Sequence, residues 1–207
     1  MSGRRNGNED RARLQLAQEA ARLIVEHGIR DYRVAKVKAA ERLGINSRGS
    51  LPGNAEVESA VQSHLSLFGG ESHADHLCLL RESALTAMEL LAAFSPRLVG
   101  PVLQGTADHN SAVNLHVFTD SPESIALQLS ADGFDCRPYE RHLKISRGKG
   151  AKAETFVGYE FELEDAAIQA TVFPVDGIRQ APISPIDGRP MKRADQKAVA
   201  SLLSDSL

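Results

Sequence analysis

The hydrophobic pattern of the chain changes its period at Ser95-Pro96, and this change constrains the fold more than any other feature of the sequence. Before it, apolar residues recur every three or four positions, as they do along one face of a helix. After it, short runs alternate between apolar and polar residues, as in strands with one buried face. The order of elements therefore predicts an α+β protein in which N-terminal helices precede a mixed β-sheet.

The two parts of the chain divide further at glycine, proline and helix-capping residues. Helices are predicted at 10–27, 32–43, 54–68 and 73–94. Strands are predicted at 98–103, 113–118, 134–145, 155–163 and 167–173, with a helix at 125–131 and a last one at 194–203. The predicted organisation is a disordered segment at 1–9, a helical region at 10–95, an α/β core at 96–178 and a Pro-rich extended tail with a short helix at 179–207.

Charge is distributed unevenly along the chain. Residues 1–50 carry 11 Lys and Arg against 6 Asp and Glu, and the remainder carries 13 against 21, so the net charge of −3 is the sum of +5 and −8. Basic side chains in and just before the second predicted helix form one stripe: Arg30, Arg33, Lys36, Lys38 and Arg42. Such a stripe indicates either a surface for nucleic acid or an acidic partner, or simply a solvated helix face.

Features of secreted and membrane proteins are absent from the sequence. The two cysteines, Cys78 and Cys136, lie far apart and have no CxxC spacing. The N-terminal residues contain no apolar signal segment, and the longest apolar-rich stretch, 85–94, contains Glu89 and is too short to span a bilayer. These observations predict a cytoplasmic protein with free thiols and no association with membranes.

The segment 102–118 carries the residues most suggestive of chemistry. Gly105-Thr106 is followed by a short turn and then by a predicted strand that contains Asn114 and His116. Residues two apart on a strand point to the same side, so these two polar side chains project together. A glycine lets backbone amides approach a phosphate, a hydroxyl donates to it, and paired polar side chains hold divalent ions.

With these residues the chain resembles the nucleotidyltransferase superfamily, the fold shared by polymerase-β-like enzymes. Its N-terminal helices and its Pro-rich tail at 179–190 also resemble those of bacterial nucleotidyltransferase-like proteins. The family signature is an apolar residue, Gly, then Gly or Ser, and after a gap an acid–apolar–acid triplet, with a third acid on a later strand. The resemblance covers about residues 85–175. It implies a nucleotide ligand, a divalent metal cofactor (Mg²⁺ or Mn²⁺), and phosphate-contacting residues at Gly105, Thr106 and Ser111.

The three positions that the resemblance assigns to catalytic acids are occupied by Asn114, His116 and Gln169. Mg²⁺ prefers carboxylate and water oxygens, so neutral amides and an imidazole are poor substitutes. In-line nucleotidyl transfer depends on the metal ions for charge stabilisation. The sequence therefore predicts a nucleotidyltransferase-fold protein with a degenerate metal site, a nucleotide-binding or regulatory protein with weak or no transferase activity.

Two alternatives remain at this stage. One is an active nucleotidyltransferase with an unusual metal set, in which His116 and Asp108 ligate an ion that accepts nitrogen ligands, such as Zn²⁺, Mn²⁺ or Ni²⁺. The other is a nucleic-acid or protein interaction module that uses the basic N-terminal helices.

Overall fold

The computed structural model describes residues 3–45, 51–109, 111–146 and 152–204, with side chains in the first helix described from residue 10 onward. The helices are α1 (Gly3–His27), α2 (Tyr32–Leu43), α3 (Asn54–Phe68), α4 (Gly70–Leu90), α5 (Pro101–Gln104), α6 (Glu123–Ala131) and α7 (Gln196–Ser204). The strands are β1 (Arg97–Val99), β2 (Val113–Phe118), β3 (Cys136–Lys144), β4 (Ala153–Leu163) and β5 (Ala166–Phe173). Short 3-10 helices occupy Ala92–Phe94 and Val175–Arg179.

Contacts between residues divide the chain into two units. The helical unit comprises Met1–His73 with Pro185–Asp187, and the sheet unit comprises Ala74–Ser184 with Gly188–Leu207. The boundary lies within α4 and not at residue 95, where the hydrophobic period changes. The reason is that the apolar residues along most of α4 belong to the core of the sheet unit, among them Leu80, Ala84, Ala87 and Met88.

The helical unit is organised around α1, which contacts both α2 and α3. Much of its buried core is alanine, and small side chains let helices approach closely: Ala17, Ala20, Ala21, Ala35, Ala39 and Ala40. The start of α2 is fixed by Asp31, whose carboxylate accepts hydrogen bonds from the backbone N–H groups of Arg33 and Val34. Its end is fixed by Gly44, which adopts the left-handed conformation with φ 63°.

The sheet unit contains a five-stranded mixed sheet in the order β1-β2-β5-β4-β3. Strands β2 and β5 are parallel, and the other neighbouring pairs are antiparallel. Asn114 of β2 is in register with Gln169 of β5, which is in turn in register with Glu160 of β4. Side chains in register on neighbouring strands share a face, so the sheet order brings these three residues side by side.

The two faces of the sheet differ because alternate residues of a strand point to opposite sides. Leu115, Phe161 and Ile168 lie on the face that forms the apolar core with α4, α6 and α7. The residues that alternate with the core residues form the opposite side, called the second face here. It comprises Arg97, Val99, Asn114, His116, Phe118, Arg137, Tyr139, Arg141, Leu143, Glu154, Phe156, Gly158, Glu160, Glu162, Ala167, Gln169, Thr171 and Phe173.

The α+β class is confirmed, and most of the predicted elements are present. The predicted strand at 98–103 is wrong beyond Val99, because Gly100 turns the chain with φ 76° and ψ −154°, and Pro101 then begins α5. The predicted hairpin turn at Glu164-Asp165 is confirmed, with φ angles of 50° and 67°. Helix α1 begins at Gly3, well before residue 10. Residues 1–2 of the predicted disordered segment lie outside the described residues.

Candidate functional site

Gly100, rather than Gly105, is the glycine that lies beside Asn114. It directly follows β1, and a Cβ atom placed on it would be 3.5 Å from Nδ2 of Asn114. Gly105 instead ends α5 with φ 77°, and a Cβ atom there would lie 3.8 Å from Leu77 and 3.9 Å from Arg81, both on α4. The predicted phosphate turn at Gly105 is therefore next to α4, while Gly100 adjoins the predicted metal position at residue 114.

The other residues predicted to contact phosphate are engaged in the local turn. The backbone N–H of Thr106 donates to the carbonyl of Pro101 at 3.0 Å. The hydroxyl of Ser111 donates to Oδ1 of Asp108 at 2.7 Å and accepts from the backbone N–H of Asp108 at 2.9 Å. These reciprocal bonds hold Asp108 and Ser111 in one turn, in which both the carboxylate and the hydroxyl already have protein partners.

A hydrogen-bonded network centred on Arg141 joins the first and third predicted acid positions. Arg141 of β3 donates from Nη1 to Oδ1 of Asn114 at 3.0 Å and from Nη2 to Oε1 of Gln169 at 2.8 Å. Gln169 donates from Nε2 to Oε2 of Glu160 at 2.6 Å, and Asn114 donates from Nδ2 to the carbonyl of Ala112 at 3.0 Å. The network is half-buried, so its members are partly shielded from water. A guanidinium group therefore contacts two positions where the family resemblance implies metal-binding carboxylates.

His116 is buried, with 1% of its surface exposed, and its protonation is fixed by Arg193. Nε of Arg193 donates to Nδ1 of His116 at 3.0 Å, and because arginine is always a donor, the imidazole proton must reside on Nε2. Burial lowers the pKa of His116 to about 3, and the positive charges of Arg193 and Arg141 contribute. The ring also packs on Phe173, with 4.5 Å between ring centroids. His116 is therefore a neutral acceptor at physiological pH.

Arg193 comes from the irregular segment before α7 and reaches the second face. Its guanidinium carbon lies 4.9 Å from the ring centroid of Phe118 and 5.1 Å from that of Phe173, a cation–π arrangement. Its Nη1 donates to the carbonyls of Gly177 and Ile178 at 2.9 and 3.2 Å. Burial lowers the pKa of Arg193 to about 10, with a smaller effect from the charge of Arg97. Arg193 is thus held from several sides and remains charged.

The predicted metal pair, His116 and Asp108, has other partners in the structure. Arg193 occupies Nδ1 of His116, and Ser111 occupies Oδ1 of Asp108. Across the described ranges, no group of three or more His, Cys, Asp or Glu side chains is placed to hold a metal ion. The donor set on the second face, rich in guanidinium and amide groups, is also a poor match for Mg²⁺.

Four residues of this site are not found by reasoning from the sequence: Gly100, Arg141, Glu160 and Arg193. The alternation of Tyr139 and Arg141 within the predicted strand 134–145 signals that they share a face, but not which residues they meet. No local pattern signals Arg193, since it lies outside the regular elements of the sheet. Its contact with His116 spans 77 positions of the sequence.

Two residues of the predicted basic stripe are engaged within the helical unit. Nζ of Lys36 donates to Oδ1 of Asn54 at 2.7 Å and to the carbonyl of Pro52 at 3.0 Å. Arg42 forms an ion pair of 3.1 Å with Glu19. Hydrogen bonds from Arg22 and Arg42 lower the pKa of Glu19, against the opposing effect of burial. Arg33 and Lys38 are exposed on α2.

The described helices include none with the length and apolar character needed to cross a bilayer. No protein-family model, curated protein or solved structure matches the chain.

Proposed function

We propose that this chain is a nucleotidyltransferase-fold protein that binds a nucleotide on the second face of its sheet and has weak or no transferase activity. The observation that carries this proposal is the position of Arg141. Its guanidinium group bonds both Asn114 and Gln169, which stand at neighbouring register positions on the parallel strands β2 and β5. A fixed positive charge there repels a divalent cation and attracts an anion.

The turn after β1 supports the same proposal. Twelve residues separate Pro101 from Asn114, and seven separate Thr106 from Asn114. Both spacings satisfy the family signature, in which the gap is roughly seven to a dozen residues. Since Gly100 adjoins Asn114, we align Val99-Gly100-Pro101 with the apolar–Gly–Gly/Ser part of the signature. Proline has no backbone N–H, so this alignment also removes one phosphate donor from the turn.

The charge of the network argues against two-metal catalysis. Nucleotidyl transfer by two Mg²⁺ ions requires several carboxylates that neutralise the ions. Among the residues that contact Arg141 or its partners, Glu160 supplies the carboxylate, and its Oε2 already accepts from Gln169. One carboxylate opposite one guanidinium leaves no net negative charge for a metal.

We expect little or no metal-dependent turnover. The purified protein, incubated with nucleoside triphosphates and Mg²⁺ or Mn²⁺, should release little or no pyrophosphate above a protein-free blank. The same triphosphates should raise the melting temperature in EDTA, because binding to the folded state alone stabilises it. Robust pyrophosphate release that is abolished by His116→Ala would contradict the degenerate site. Absence of any nucleotide-dependent shift would contradict nucleotide binding.

Removing the guanidinium group of Arg141 and placing carboxylates at residues 114 and 169 should create a metal site. In the variant Asn114→Asp/Gln169→Asp/Arg141→Met, two new carboxylates lie in register beside Glu160 without the guanidinium group. We expect Mn²⁺ to raise its melting temperature by about 4 °C, which corresponds to roughly 1.4 kcal/mol of binding free energy.

Two matched variants isolate the cause of that shift. Arg141→Met alone lacks the carboxylates, and Asn114→Asp/Gln169→Asp retains the guanidinium group, which then pairs with them. Neither is expected to respond to Mn²⁺. An equal response of Arg141→Met would show that the metal binds elsewhere, and no response of the triple variant would show that residues 114 and 169 are not metal positions.

A further inference from the structure

The second face carries arginines that have no carboxylate partners. Within the part of the chain that the structure describes, none of Arg97, Arg141 and Arg193 forms an ion pair, whereas Arg13, Arg22 and Arg42 of the helical unit do. Half-buried guanidinium groups without counter-ions are costly, because each loses hydration that no negative charge replaces. An anion bound beside these groups would supply the missing charge.

Arg97 and Arg193 both lie next to His116. Arg97 of β1 is in register with His116 of β2, and Arg193 bonds the imidazole directly. Since His116 is neutral and its Nδ1 is used, it provides no compensation for the two positive charges. The charge of Arg97 is close enough to lower the pKa of Arg193.

Both guanidinium groups have N–H donors without an acceptor among the described residues. Nη2 of Arg193 is buried and has no hydrogen-bond partner within the described residues, although Nε and Nη1 of the same group are bonded. Arg97 uses Nη1 for the carbonyls of Ser95 and Pro96, at 3.3 and 2.9 Å. A buried charged donor left without an acceptor destabilises the folded protein, and an anion that accepts from it removes this cost.

Guanidinium groups match phosphate oxygens in geometry as well as in charge, because their planar donors bind two oxygens at once. We propose that Arg97 and Arg193 form an anion subsite at the β1 side of the second face, which takes a phosphate or pyrophosphate group of the bound nucleotide directly, without a metal ion. This inference rests on the proposed function and names the part of the ligand that binds there.

Isothermal titration of the full chain with sodium pyrophosphate and with ATP tests this subsite, in EDTA and in excess MgCl₂. Pyrophosphate should bind in EDTA, and Mg²⁺ should weaken binding because it neutralises the charges that the arginines recognise. Arg97→Gln and Arg193→Lys should each weaken pyrophosphate binding by at least about ten-fold, as expected for the loss of charge-assisted hydrogen bonds. Lysine retains the charge of Arg193 but not its planar set of donors.

Lys192→Gln is the matched control, since it removes an exposed positive charge from the residue adjacent to Arg193 and should leave binding unchanged. Arg97→Gln decides the result if Arg193→Lys fails to fold, because Arg97 bonds to the neighbouring backbone carbonyls of Ser95 and Pro96. Unchanged binding in Arg97→Gln, or binding that requires Mg²⁺, would overturn the subsite. If ATP still binds in that case, the proposed function stands, and if neither ATP nor pyrophosphate binds, both are overturned.

Discussion

Lowering the pH from 6.5 to 4.5 is expected to reduce the free energy of unfolding of the sheet unit by about 2 kcal/mol through His116 alone. The unfolded chain protonates this histidine near its ordinary pKa of 6.5, whereas the folded protein resists protonation until about pH 3. In this window the unfolded state therefore binds more protons, so stability falls as pH falls. The contribution is fully present above pH 6.5.

Carboxylates contribute little to the change in stability between pH 6.5 and 4.5. Arginine neighbours lower the pKa values of Glu19 and Glu56, so their stabilising effect is present above the ordinary value of 4.5 and is lost only below it. Hydrogen exchange of the β2 and β5 amides, measured at several pH values, reports on the sheet unit separately from the helical unit.

His116→Asn provides the comparison, because Oδ1 of asparagine occupies a position similar to Nδ1 of histidine and accepts from Arg193 without titrating. This variant should be less stable at neutral pH, since the smaller side chain packs less well on Phe173. Its stability should nevertheless be flat between pH 6.5 and 4.5. His27→Asn, at an exposed site in α1, should keep the slope of the unmodified protein. An equal slope in His116→Asn would mean that another group causes the acid loss.

The fold class could be predicted because it depends on local periodicity. The alternation in 113–118 and 167–173 and the turn at Glu164-Asp165 all correspond to observed strands and a hairpin. The strand predicted at 98–103 was extended too far because Val102 and Leu103 are apolar, whereas Gly100 and Pro101 turn the backbone into a short helix. Apolar character alone does not distinguish a buried strand from a buried helical turn.

The site was only partly predictable because sheet order is a property of the whole chain. Alternation is enough to put Asn114 and His116 on one face, but the order β2-β5-β4-β3 decides that Arg141 can reach both Asn114 and Gln169. The spacing of the family signature fits Gly100 and Gly105 equally well. The register of β1 with β2 is what favours Gly100, because it brings this glycine next to Asn114. Arg193 lies in a segment without regular secondary structure, so no periodic pattern predicts its contact with His116.

Gly158 of β4 contributes to the packing of β3, the strand from which Arg141 reaches Asn114 and Gln169. Tyr139 of β3 is in register with Gly158 of β4, and its ring lies over the glycine. The Tyr139 hydroxyl reaches past β4 to Oγ1 of Thr171 on β5, at 2.8 Å. Any Cβ atom at residue 158 would overlap this ring, so glycine is required here by space and not by backbone conformation.

Replacing Gly158 with alanine is therefore expected to reduce the free energy of unfolding of the sheet unit by about 3 kcal/mol. Part of this is the cost of overpacking, typically about 1–3 kcal/mol, and part is the lost bond between Tyr139 and the buried Thr171. Urea unfolding and exchange of the β4 and β5 amides measure the change. Val157→Ala, at an exposed neighbouring position, should cost far less.

A double-mutant cycle with Tyr139→Ala identifies the cause. Once the ring is removed, Gly158→Ala should be neutral or slightly stabilising, because glycine within a strand costs about 0.5–1 kcal/mol relative to alanine. Since Arg141 follows Tyr139 by two residues on the same face of β3, Gly158→Ala should also weaken ATP binding in folded protein. If Gly158→Ala destabilises the protein equally with and without the Tyr139 ring, glycine is required at residue 158 by the backbone conformation and not by the ring. The packing of β3 would then have no bearing on ligand binding by the second face.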